Sequence, residues 1–141
     1  FNWNSKYLYA EPGMLNIDLK DIGYIFDIEI KRTRSQGIGY MKVFCYDLML
    51  AQLRAELQDT PGFLIHDSAI FNGVDERQIA KALELAAKLS TENSFQYVVT
   101  LNSDQVPYND FTDNFKLKFN NDVRITLTDD TDEGGLLGIR Y

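Results

Sequence analysis

A chain of 141 residues with 45% hydrophobic and 25% charged residues has a globular composition and the length of one ordinary domain with a real core. A net charge of −7 excludes a domain drawn as a whole to nucleic acid, and no apolar run approaches the length of a membrane span. The single cysteine, Cys45, excludes an internal disulfide and fits a reducing cytosol, so a cytoplasmic protein is expected.

No charged-then-apolar leader opens the chain. It begins at Phe1 rather than Met, as an excised segment of a longer polypeptide does. Residues 1–13 read as a short helix or as the remnant of an upstream element, and 14–141 as a single domain. Met14–Lys20 and Tyr24–Ile30 alternate apolar and polar residues around Asp21-Ile22-Gly23, which predicts an antiparallel hairpin. The basic cluster Lys31-Arg32-Thr33-Arg34 is either a solvated strand end or a phosphate-facing patch.

Gly37 and Gly39 precede a long helix, roughly Tyr40 to Gln58. Val43, Tyr46, Leu50, Leu53 and Leu57 line one face of it, and Met41, Phe44, Leu48 and Ala51 much of another. Such a helix is expected to be buried on most of its circumference. Pro61-Gly62 ends that unit and launches an apolar strand, Phe63 to His66. Asp75 then caps a helix with Gln78 at its third position, a variant of the capping box. Val74 and Ile79 form a hydrophobic staple, Ile79, Leu83, Ala86 and Leu89 the inward stripe, and Glu84 and Lys88 an outer i,i+4 pair. Phe95–Leu101 is rich in β-formers. Strand, helix and strand in this order predict a βαβ unit with parallel, buried strands. A loop or short helix follows through Pro107 to Phe115, and 123–128 with 136–141 read as a closing hairpin around Asp129 to Gly135.

His66-Asp67-Ser68 contains the residue types of a hydrolase triad, but neighbours on a strand point to opposite faces and cannot meet in relay geometry. His66 is the only histidine and no metal-ligand spacing surrounds it, so it reads as a hydrogen-bonded histidine near the strand end. Two roles fit Asp67: a carboxylate holding Mg²⁺ through water beside nucleotide phosphates, or a cap for the following turn. Ser35-Gln36-Gly37-Ile38-Gly39 before a helix offers free N–H groups and a favourable dipole to an anion, or is an ordinary helix start. The phosphate loop G-x-x-x-x-G-K-[ST] is absent from the chain.

The order of hairpin, Ser-Gly turn, buried helix, apolar strand ending in Asp, capped helix, and strand ending in Thr100-Leu101-Asn102-Ser103 resembles the C-terminal lobe of an ABC-type ATPase head of the SMC, RecN and RecF kind. The wording FLIHDSAIFNGVDERQIAKALELA, with SQGIGYMK and the terminal LLGIRY, is similar to the poorly characterised C-terminal domain of YydD-like proteins, over about residues 14 to 141. The resemblance implies an α/β fold, a parallel βαβ core with flanking antiparallel hairpins. It implies that Ser35, Gln36, Gly37 and Gly39 stand at the signature motif and contact nucleotide across a head-to-head homodimer. Phe63 to Asp67 then stands as the Walker B strand, with Asp67 serving Mg²⁺, and Asp75 as the D-loop acid at the dimer seam. Ser68 stands where active relatives carry the glutamate that polarises water, Asn102 where the switch histidine lies, and Gln36 where the first signature glycine lies. The Asp67–Asp75 loop is one residue longer than the usual spacing.

Mg-ATP is therefore expected only in a full-length protein that supplies the missing N-terminal half of the head and a coiled coil, and no cofactor is expected for this chain alone. A non-catalytic dimerisation or interaction module that keeps the head fold is the alternative, and a Mg²⁺ phosphoesterase using Asp67, Asp75 and Asp104 is a third.

Overall fold

Asn2–Tyr9 forms a short helix (α1) that ends where Ala10 turns left-handed, with φ of 62°. Its buried Asn4 and Ser5 are hydrogen-bonded, as interior polar groups usually are, whereas the buried Tyr9 hydroxyl has no partner among the described residues. Asn4 donates from Nδ2 to the Cys45 carbonyl at 3.3 Å and to Gln52 Oε1 at 3.1 Å. Ser5 donates to the Phe1 and Asn2 carbonyls and accepts the Gly13 N–H at 2.7 Å. The computed structural model describes residues 1–30, 36–57, 62–128, 130–131 and 133–135, with Gln36 described by its backbone.

The alternation in 14–29 folds as expected. Met14–Lys20 (β1) and Gly23–Glu29 (β2) pair antiparallel, with Leu15 opposite Ile28, Ile17 opposite Phe26 and Leu19 opposite Tyr24. These side chains share one face. Near its base Phe26 meets Tyr46 edge-on at 5.9 Å, whereas Leu19, Ile22 and Tyr24 near the tip are exposed.

The long helix (α2) runs Gln36–Glu56, so the helix starts ahead of Gly37 and Gly39 instead of after them. Met41, Phe44, Cys45 and Leu48 are completely buried, but Val43, Leu53 and Leu57 are exposed. One stripe of α2 thus enters the core, and the second apolar face is only partly covered. The expectation of burial round most of the helix is corrected to that extent.

Phe63–His66 (β3) is followed by a single 3-10 turn, Ser68–Phe71, then the helix Glu76–Glu92 (α3) and the strand Gln96–Val99 (β4). β3 and β4 are parallel, pairing Phe63 with Gln96, Leu64 with Tyr97, Ile65 with Val98 and His66 with Val99. Ile79, Ala80, Ala82, Leu83, Leu85, Ala86 and Leu89 of α3 are buried. They supply the core together with the α2 stripe, Leu8, Phe71 and Phe95. The pair is covered on one face: Phe63 and Ile65 are 51% and 56% exposed, so the expected fully buried sheet is a half-covered one. Lys88 lies 5.4 Å over the Trp3 ring and 3.9 Å from Glu92.

The chain divides into two compact units, Phe1–Phe111 and Thr112–Tyr141. The second opens with the helix Asp113–Asp122 (α4), which carries a Phe115–Phe119 ring pair and a Lys118–Asp122 ion pair at 2.8 Å. Residues 123–128 are not a strand. Their expected partner, 136–141, lies outside the described residues, as do Asp129, the 31–34 cluster, Ser35, Gln58 and Pro61. Among the described residues no helix is long and apolar enough to cross a membrane.

Candidate functional site

The parallel register carries the carboxyl ends of β3 and β4 to one edge, where Asp67 and the segment Thr100–Asn102 emerge together. The Thr100 N–H donates to the His66 carbonyl at 3.1 Å, extending the ladder by one bond. Thr100 Oγ1 then donates to Asp67 Oδ2 at 3.2 Å. The other oxygen, Oδ1, accepts the Ala69 N–H at 2.9 Å and caps the 3-10 turn. Each carboxylate oxygen therefore has one protein donor and spare lone pairs, and the side chain is open to solvent. Ser68 starts the turn and is half-buried. Asn102 caps the next 3-10 turn, Ser103–Gln105, with its Nδ2 donating to Gln105 Oε1 at 3.4 Å.

Behind Asp67 the preceding residue points inward. His66 is 6% exposed, and its two ring nitrogens are both engaged: Nε2 lies 3.2 Å from Asp47 Oδ2 of α2, and Nδ1 lies 3.1 Å from the Tyr97 hydroxyl of β4. Phe44 packs on the imidazole at 5.4 Å and Tyr97 meets it edge-on at 5.6 Å. Burial, reinforced by the Asp47 charge, pushes the Tyr97 phenol up, so it stays protonated at neutral pH. A neutral imidazole with its proton on Nε2 donates to the Asp47 carboxylate and accepts the Tyr97 O–H at Nδ1, an assignment that satisfies all three groups.

The amino-terminal turn of α2 meets the loop before α3. Gly73 has φ of +70°, and a side-chain carbon at Gly37 would strike the Gly73 carbonyl and lie 3.0 Å from the Val74 nitrogen. The close approach depends on Gly37 lacking a Cβ, whereas a Cβ at Gly73 would lie an ordinary 3.7 Å from the Gly37 nitrogen and glycine there answers to the positive φ. Asp75 follows and caps α3 through the Arg77 N–H at 3.1 Å. Arg77 adds a second contact of another kind, its Nε and Nη2 donating to the Asp75 carboxylate at 3.0 and 3.2 Å. That hydrogen bond from the Arg77 side chain holds the Asp75 carboxyl below its usual value.

Thus Asp67 and Asn102 share an edge, Gly37 meets the segment leading to Asp75, and Ser35 falls outside the described residues. Gly39 lies within the first turn of α2. Asp67, Asp75 and Asp104 do not gather into a group, and no cluster of three or more metal-capable side chains occurs among the described residues. Cys45 is buried, and burial pushes its thiol up to about 12, leaving it inert at neutral pH. Sequence reasoning missed Asp47, Tyr97 and Thr100. Asp47 and Tyr97 stand 19 and 31 residues from His66, and no motif spacing links them.

A family model described as an uncharacterised protein conserved in bacteria (DUF2326) matches residues 4–141, and the chain belongs to that family. No curated protein and no solved structure matches the chain.

Proposed function

We propose that this member of the DUF2326 family is the C-terminal half of an SMC/RecN-like ABC-type ATPase head, dependent on an upstream phosphate-loop half for Mg-ATP. The observation that supports the reading best is the parallel register of β3 and β4, with Asp67 and Thr100–Asn102 at one sheet edge. Open α/β sheets bind their ligands at that edge. The contact of Gly37 with Gly73 and Val74 also fits, since it joins the signature-like turn to the D-loop-like segment.

In this reading the exposed Asp67 carboxylate accepts hydrogen bonds from the water shell of Mg²⁺, for which its spare lone pairs suffice. The ion, when bound, neutralises charge on the phosphate oxygens. Ser35, Gln36, Gly37 and Gly39 serve the nucleotide of a second head, Asp75 sits at the seam, and Asn102 occupies the switch position. Ser68 is a poor general base because its neutral hydroxyl accepts protons weakly, so turnover is slow.

The test is steady-state phosphate release by the full head. Asp67→Asn keeps the turn cap, since Asn caps as well as Asp, yet removes the charge; it is expected to abolish turnover. Ser68→Glu is expected to raise turnover by about tenfold or more, as positioned acid–base groups do. Fast turnover indifferent to Asp67→Asn rules the reading out.

One observation favours a second reading, a non-catalytic interaction module that keeps the head fold: both Asp67 oxygens already serve structural hydrogen bonds. Nucleotide-independent dimerisation of the full protein would support it.

A further inference from the structure

The buried His66 side chain hydrogen-bonds to two other elements, α2 through Asp47 and β4 through Tyr97, and it immediately precedes the carboxylate at the sheet edge. We propose that Asp47, His66 and Tyr97 form a tether, centred on the buried His66 imidazole, whose job is to position Asp67, making all three positioning residues for the site. The proposal rests on the reading of Asp67 as the acid beside Mg-bound phosphate.

A strand of four residues, Phe63–His66, has few ladder bonds to fix its last peptide. An exposed Asp at its end would swing with it. Here the end is held from both sides. Asp47 grips His66 from α2, and Tyr97 grips it from β4. The fixed His66 carbonyl receives the Thr100 N–H, and Thr100 in turn aims its hydroxyl at Asp67 Oδ2. The chain of bonds thus runs from the helix that begins at the Gly37 turn, through the buried imidazole, to the outer carboxylate. A simple packing histidine needs one partner for its N–H, and an apolar residue would fill the same space beside Phe44. Two directed partners from two different elements fix the ring's orientation as well as its position, as outer-shell groups do around functional carboxylates.

The decisive readout is the side-chain carboxyl carbon resonance of Asp67 in the 141-residue chain, with Asp75 as internal control. Tyr97→Phe keeps the ring and deletes one hydroxyl. It is expected to move the Asp67 signal and the Thr100 hydroxyl while leaving Asp75 unchanged. His66→Gln, which can still present an amide toward Asp47, is expected to stay closer to wild type than His66→Leu. Asp67 unmoved by Tyr97→Phe overturns the tether, whatever happens to stability, and so does equal behaviour of Gln and Leu at position 66. In the full head, Tyr97→Phe is expected to raise the Mg²⁺ concentration for half-maximal turnover about tenfold, the lower end for loss of an outer-shell partner. Turnover indifferent to Asp67→Asn would remove the nucleotide reading by itself, while the resonance experiment still decides the tether.

Discussion

The inward side of the β3–β4 pair turns Leu64, His66, Tyr97 and Val99 toward the helices, whereas the outward side turns Phe63, Ile65, Gln96 and Val98 to solvent. On the inward side the polar groups of His66 are paired and Phe44 packs against its ring. On the outward side apolar side chains stand uncovered on a parallel pair, although parallel sheets are ordinarily covered on both faces. In the β1–β2 hairpin Phe26 touches Tyr46 but is still half exposed, and Leu19, Ile22 and Tyr24 are exposed. The contrast teaches that the order of this domain is built from one side. The open side leaves Phe63, Ile65 and Val98 exposed.

Substitutions can break or sharpen that contrast. The largest effect is expected at Phe44, which is fully buried between the His66 and Phe71 rings. Phe44→Ala should cost roughly 3–5 kcal/mol, as large-to-small core changes do. Ile65→Thr on the outward side should stay within about 0.5–1 kcal/mol. Urea denaturation of both variants measures the difference, and equal losses would erase the distinction between the sides.

Next comes the backbone contact at the start of α2. Gly37→Ala drives a methyl into the Gly73 carbonyl and should cost about 1–3 kcal/mol, the range of overpacking. Gly39→Ala has open space around the new carbon and should be neutral or stabilising, since Ala exceeds Gly in helix propensity by roughly 1 kcal/mol. Thermal melts that rank the two the other way would disprove the close approach.

The smallest effect concerns pH. The Asp75 carboxyl is held below its ordinary value of 3.8, chiefly by the Arg77 side chain. Its contribution is therefore complete above that value and is lost as pH falls through the lower, folded value. Amide exchange in the first turn of α3 should rise in that acidic window, and Arg77→Gln should move the onset to higher pH.

β3 is legible to the residue because an apolar run between Gly62 and Asp67 leaves little freedom. The start of α3 is legible because Asp75 is a strong cap. α4 is legible only in part: a loop or short helix is expected through Phe115, whereas the helix runs Asp113–Asp122 and brings the Phe115 and Phe119 rings together at i,i+4. Residues 123–128 alternate apolar and polar residues yet are not a strand, and their expected partner, 136–141, lies outside the described residues. Gly37 and Gly39 look like breakers, yet α2 starts ahead of both; Gly37 is needed for the close approach to Gly73, whereas no such contact surrounds Gly39 among the described residues. At the site, the sheet-edge position of Asp67 and Asn102 follows from βαβ order. The partners of His66 do not, because they are fixed by tertiary packing across long separations.

Calorimetric titration with Mg-ATP tests the central claim most directly, run on this chain alone and on the same chain joined to a phosphate-loop half. No useful binding to the chain alone is expected, because the phosphate loop and its lysine supply most contacts to the β- and γ-phosphates. Mg-dependent binding by the joined protein, weakened by Asp67→Asn, is expected. Micromolar binding to the chain alone, or binding by the joined protein that ignores Asp67→Asn, would contradict the claim.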